Sequence, residues 1–203
     1  MNNIEIRNIT TEIRSIEEGS RKISGLAIPV NSRSGLLYNE FYETIAPEAL
    51  EGVVEKYDVK LYINHDMTQG TYGRSKYGKG SLHLFVTERG LEFDTELPNT
   101  AQGDMLLEGI KRNDFDALSF AFVPDKDEWR MNEDGTYERT ILSFSYLDEI
   151  SILSMTPAYE STEVKLRSLE DFKEQQRKEE EERKLTIFNK LDAKLKEIED
   201  IKI

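Results

Sequence analysis

The chain has no cysteine and two histidines, His65 and His83, so little reactive chemistry is open to it. Disulfides, thiolate metal sites and a cysteine nucleophile are excluded, and a multi-histidine metal site is hard to build, so no metal and no cofactor is implied. A Ser/His/carboxylate arrangement is among the few hydrolytic solutions left. A serine hydroxyl is a poor nucleophile until an imidazole takes its proton, and the imidazole needs an acceptor on its other nitrogen to fix the tautomer.

His65 ends the run Leu61-Tyr62-Ile63-Asn64-His65-Asp66, where an apolar stretch gives way to a polar segment, a place from which loops present catalytic groups. A surface or capping histidine fits the same position. His83 lies between Leu82 and Leu84, on the face shared with Ser81 and Phe85, and reads as an ordinary strand residue. Ser119 lies in Asp116-Ala117-Leu118-Ser119-Phe120-Ala121-Phe122. Strand alternation puts Leu118, Phe120 and Phe122 on one face and Ala117, Ser119 and Ala121 on the other. Methyl groups alone flank the hydroxyl on its own face, which leaves room for a substrate backbone; plain packing is the alternative. In Tyr146-Leu147-Asp148-Glu149-Ile150-Ser151-Ile152-Leu153, alternation groups Glu149 with Leu147, Ser151 and Leu153 and points Asp148 the other way. A carboxylate on that face is partly buried and needs a partner, an Arg or Lys if structural and a histidine if functional. Gly73-Arg74-Ser75-Lys76-Tyr77-Gly78-Lys79 fits most of a phosphate-binding loop. Gly80, however, stands where Ser or Thr should hold Mg²⁺, and a strand-like run follows in place of a helix. It reads as a flexible basic loop, with Arg74 available to an oxyanion.

These residues must be positioned by strands. Short alternating stretches punctuated by Gly, Asn, Asp and Pro predict strands near residues 4–13, 21–30, 60–63, 81–87, 91–96, 117–124, 137–147 and 150–154. One helix is predicted after Pro47 and another after Pro98-Asn99-Thr100. Asp134-Gly135 between two β-prone runs signals a hairpin, and Glu88-Arg89-Gly90 joins two further strands. After residue 167 the composition shifts to Glu, Lys, Arg and Gln, and Leu185, Phe188, Leu191, Leu195, Ile198 and Ile201 then recur at helical spacing. This gives a body, 1–167, and a charged amphipathic helical tail, 168–203. The net charge is −13, and the tail is close to balanced, so the acidity belongs to the body. That charge repels nucleic acid and anionic membranes, and no apolar run approaches the roughly 20 residues of a spanning helix.

In order and spacing, five blocks together resemble the prohead serine proteases of tailed phages, whose fold is similar to the herpesvirus assemblins. They are Ser24-Gly25-Leu26-Ala27, Phe41-Tyr42-Glu43-Thr44-Ile45-Ala46-Pro47-Glu48-Ala49-Leu50, Asn64-His65-Asp66, Leu118-Ser119-Phe120-Ala121-Phe122, and Leu147-Asp148-Glu149-Ile150-Ser151 continuing to Pro157-Ala158-Tyr159. The family often has Gly where this chain has Glu48 and Ala121. The resemblance implies an α+β fold with a closed or nearly closed β-barrel and a few peripheral helices. It makes Ser119 the nucleophile, His65 its general base and Glu149 the third member, with His83 the competitor because assemblins use a second histidine there. It further implies a serine endopeptidase that cleaves scaffolding or capsid-protein extensions, and itself among them, inside a procapsid assembling in the host bacterial cytoplasm. Its partners would be the scaffolding and major capsid proteins and its own copies, with no nucleic acid and no membrane. Two other readings stay open: an inactive assembly protein acting through its C-terminal helix, and a nucleotide-binding protein resting on the Gly73 to Gly80 segment.

Overall fold

The computed structural model describes residues 4–11, 13–15, 19–154 and 167–200. The alternating stretches fold as strands β1 (Glu5–Thr10), β2 (Arg14–Ser15), β3 (Lys22–Pro29) and β4 (Phe41–Ile45). A 3₁₀ turn (Pro47–Leu50) and the short α1 (Val53–Lys56) follow, with the proline at the first turn, where no amide donor is missed. Then come β5 (Asp58–Ile63), β6 (Gly73–Lys76), β7 (Lys79–Gly80), β8 (Leu82–Thr87) and β9 (Gly90–Glu96). Next is α2 (Ala101–Lys111), begun by Thr100, whose side chain accepts from the Gly103 amide. Two long strands, β10 (Ala117–Met131) and β11 (Tyr137–Leu153), close the body around the predicted Asp134-Gly135 turn. The Pro157-Ala158-Tyr159 block lies outside the described residues.

The fold is α+β with few helices. Seven strands form one sheet in the order β1-β10-β11-β5-β6-β7, with β4 also paired to β11; β2-β3-β9-β8 form a second. β11 is the axis: β10 runs antiparallel on one edge, while β4 and β5 lie parallel along the other, one after the next. Leu118, Phe120 and Phe122 of β10 and Leu147, Ile150 and Ile152 of β11 point into the core with Ile28, Leu61, Leu91 and Phe93. Burying each of these contributes about 1.5–3 kcal/mol. The sheets meet along two seams. At Gly25 an added Cβ would lie 2.9 Å from Phe93 and 3.3 Å from Leu118, so glycine lets β3 approach β10. At the other seam the Arg74 amide donates to Ser81 Oγ (3.3 Å), and Thr95 Oγ1 donates to the Ser81 carbonyl (2.8 Å). Among the described residues the strand pairing gives these two sheets and no hydrogen-bonded ring.

Two details differ from the alternation read in the sequence. The phosphate-loop-like segment is the β6–β7 hairpin, not a flexible loop: Tyr77 and Gly78 both take the left-handed conformation that a two-residue hairpin turn requires. In β11 the register skips a residue, since Ala121 faces Glu149 but Phe122 faces Leu147, leaving Asp148 without a ladder partner. Because of this bulge, Leu147 shares the core side with Ile150 and Ile152, not the face of Glu149.

The chain divides into two compact units, Met1–Glu160 and Ser161–Ile203. The second contains α3 (Arg167–Asp200), on which Leu185, Ile187, Phe188 and Leu191 are exposed. The stripe residues Leu195, Ile198 and Ile201 lie outside the described side chains. No helix among the described residues is long and apolar enough to cross a membrane.

Candidate active site

β5 delivers His65. The strand ends at Ile63, and Asn64 (φ 49°) and His65 (φ 59°) both turn into the left-handed region, which non-glycine residues enter rarely. Hydrogen bonds hold them there: the Asn64 amide donates to the Ile152 carbonyl at 2.9 Å, and the Asp66 amide to the Ile63 carbonyl at 2.9 Å. The Asn64 side chain clamps the end of β11, donating to Ser154 Oγ and accepting from the Ser154 amide, each at 3.0 Å. Asp66 caps the 3₁₀ turn Met67–Gln69, and the hydrogen bonds from Thr68 and Gln69 hold its carboxyl below the usual range.

The turn brings His65 onto Glu149. His65 Nδ1–H donates to Glu149 Oε1, and Ser151 Oγ–H donates to the second carboxylate oxygen at 3.1 Å. The same Ser151 oxygen accepts from the His65 amide at 3.2 Å. Glu149 is buried and the imidazole is partly exposed, so the carboxylate has taken a histidine as its partner. With Nδ1 occupied, Nε2 is the basic nitrogen.

Ser119 stands on β10 in the adjacent ladder position, directly opposite Ser151, with Ala121 opposite Glu149. Opposed residues share a face with Cβ atoms about 4.5–5.5 Å apart, so the serine lies beside the histidine–glutamate pair. Ser119 is fully buried, and its Oγ makes no hydrogen bond among the described residues, to His65 included. A buried hydroxyl left unpaired costs about 1–3 kcal/mol and calls for an explanation, of which a catalytic role is one. On its other side, in β1, stands Asn8, whose Oδ1 is likewise buried and unpaired.

The other sequence candidates lie elsewhere. His83 is exposed on β8 in the four-stranded sheet, bonded through Nδ1 to Asp94 at 2.9 Å. Arg74 Nε donates to Asp58 at 2.7 Å. Asp148, at the bulge, accepts from Lys60 Nζ at 3.0 Å; burial alone would lower the lysine's pKa, and the Asp148 contact outweighs it and raises it. No cluster of three or more His, Cys, Asp or Glu side chains among the described residues is arranged to hold a metal ion. Two residues of the site were unassigned in the sequence. Ser151 was visible on the face of Glu149, but nothing in that pattern gives it a role. Asn64 stood in a motif without one.

No curated protein sequence matches the chain. Among solved structures, the capsid assembly protease of bacteriophage T4 is similar, with 12% identity and a TM-score of 0.43 over 74% of this chain and 96% of that one. The family model described as caudovirus prohead serine protease matches residues 9–178, a span that includes His65, Ser119, Glu149 and the strands that carry them. On that match, the chain belongs to the caudovirus prohead serine protease family.

Proposed function

We propose that the protein is a serine endopeptidase that removes scaffolding sequence or capsid-protein extensions, its own chain among the substrates, inside a procapsid assembling in the host cytoplasm. The observation that carries this reading is the His65–Glu149 pair beside Ser119. In the proposed reaction Ser119 Oγ attacks the scissile carbonyl carbon and its proton passes to His65 Nε2. The tetrahedral intermediate then expels the amine, which takes that proton, and leaves an acyl ester on Ser119. Water, deprotonated by the same nitrogen, attacks the ester carbonyl; the acyl carbon–Oγ bond breaks, Ser119 Oγ takes the proton back from Nε2, and the carboxylic acid product leaves. Glu149 stays ionised throughout, fixing the tautomer and stabilising the imidazolium. We assign the catalysis to 1–167 and partner docking to the tail, 168–203. The two seams between the sheets support reading the body as a nearly closed barrel. The net charge of −13 suits an enzyme working before DNA enters the shell.

Co-expression with the major capsid protein of the same phage tests the reading by intact mass. Wild type should shorten the capsid protein and Ser119→Ala should leave it whole; equal cleavage by both would reject the assignment. A second reading, an inactive assembly protein acting through α3, is favoured by the missing bond between Ser119 Oγ and His65. It predicts that Ser119→Ala supports shell assembly and maturation as well as wild type.

A further inference from the structure

We infer that Ser151 is the positioning residue of this site: its one hydroxyl sets both the carboxylate of Glu149 and the backbone of His65, and so aims the imidazole at Ser119. The inference rests on the peptidase reading above. Ser151 is fully buried at the middle of the central sheet, with Ser119 paired on one side and Tyr62 on the other. Its Cα is therefore fixed by two ladders. From that point the hydroxyl spends its proton on Glu149 Oε2 at 3.1 Å and its oxygen on the His65 amide at 3.2 Å.

Both ends need such a tie. Glu149 has three side-chain torsions, and its Oε1 contact to His65 alone would let carboxylate and imidazole swing together. A second donor on Oε2 stops that rotation. His65 follows Asn64 in the left-handed region, and a turn of that kind persists only where surrounding bonds over-determine it. The Ser151 oxygen supplies one of those bonds. The hydroxyl cannot serve as the nucleophile in this arrangement, because its proton goes to Glu149 and its oxygen faces a backbone amide. Supporting groups of this kind hold reacting side chains within the narrow tolerance that catalysis requires.

The test compares full-length wild type, Ser151→Ala and Ser151→Thr on a peptide spanning a mapped capsid-protein cleavage site. It also follows the downfield ¹H NMR signal of His65 Nδ1–H in the free protein. Ser151→Ala should lower kcat by about 10–100-fold, the range seen at metal sites when a hydrogen bond that orients a ligating side chain is removed. KM should change little, the thermal midpoint should fall modestly because Glu149 Oε2 and the His65 amide lose their partner, and the His65 signal should be lost or broadened. Ser151→Thr keeps the hydroxyl and should restore signal and kcat together. An intact His65 signal in Ser151→Ala overturns the inference whatever happens to kcat. Fluorophosphonate found on Ser151 in place of Ser119 also overturns it, by making Ser151 the nucleophile. Failure of the peptidase reading looks different: Ser119→Ala would cleave at the wild-type rate, while the His65 signal in Ser151→Ala still reports on positioning.

Discussion

At the scale of single residues the decisive contact is one that residue types announce but do not locate. A buried glutamate demanded a partner, and the structure supplies His65 through a turn whose left-handed backbone no sequence pattern gave away. The neighbouring carboxylate is different in kind. Asp148 sits at the bulge, partly exposed and bonded to Lys60, while the imidazole is bonded to Glu149. Glu149→Gln should keep the fold and cut kcat by as much as about 10⁴-fold, the loss found when a triad carboxylate becomes an amide. Asp148→Asn should stay within a few-fold of wild type, and so should His83→Ala, whose partner is Asp94 on the other sheet. Rates on one peptide substrate decide among the three; a crippled His83→Ala beside a normal Glu149→Gln would move the third role to His83. Alternation puts Leu147 on the face of Glu149, and the structure does not, because a bulge leaves no mark in a pattern of period two.

At the scale of elements, turn chemistry was legible where glycine and asparagine stood between β-prone runs. The Asp134-Gly135 and Glu88-Arg89-Gly90 turns were read directly, as were the proline-led turn at Pro47 and the helix begun at Thr100. β4 was not: its five residues do not mark a strand by themselves, because its strand character comes from pairing with β11, about a hundred residues away. The segment after Gly73 shows how a motif and a hairpin compete for the same glycines. Gly80, at φ 140°, lies so that an added Cβ would fall 2.0 Å from the Arg74 carbonyl oxygen, which binds β7 to β6 more tightly than any side chain permits. Gly80→Ala should therefore destabilise the body by at least about 1–3 kcal/mol, the cost of a residue forced into disfavoured backbone space. A thermal scan should show a drop of about 2–4 °C per kcal/mol, and an unchanged midpoint would mean that β7 is free to shift.

At the scale of the molecule the largest unread feature is a buried charge network. Arg7 and Glu5 of β1, Glu43 of β4 and Arg139 of β11 bond one another in the interior, and Arg139 reaches Asp127 of β10 at 2.7 Å. The partners lie as far as 134 positions apart, so only the folded chain assembles them. Burial by itself would raise the Glu43 pKa, but Arg7 and then Arg139 outweigh it and hold the carboxyl below its ordinary value. A carboxylate depressed in this way contributes stability that is present above the unfolded-state pKa and lost as pH falls through the folded one. Denaturation followed below the ordinary carboxylate range should show stability dropping with acid. Glu43→Gln should cost about 3–5 kcal/mol at neutral pH, because it leaves buried arginine charge uncompensated, and should flatten that acid slope. A variant as stable as wild type would show that the network is neutral in energy. The central claim concerns the reacting atoms, and labelling of the full-length protein with a fluorophosphonate, followed by peptide mass mapping, tests it most directly. The label is predicted on Ser119 alone and should disappear in His65→Ala; an unlabelled wild type, or a label on any other serine, would contradict the account.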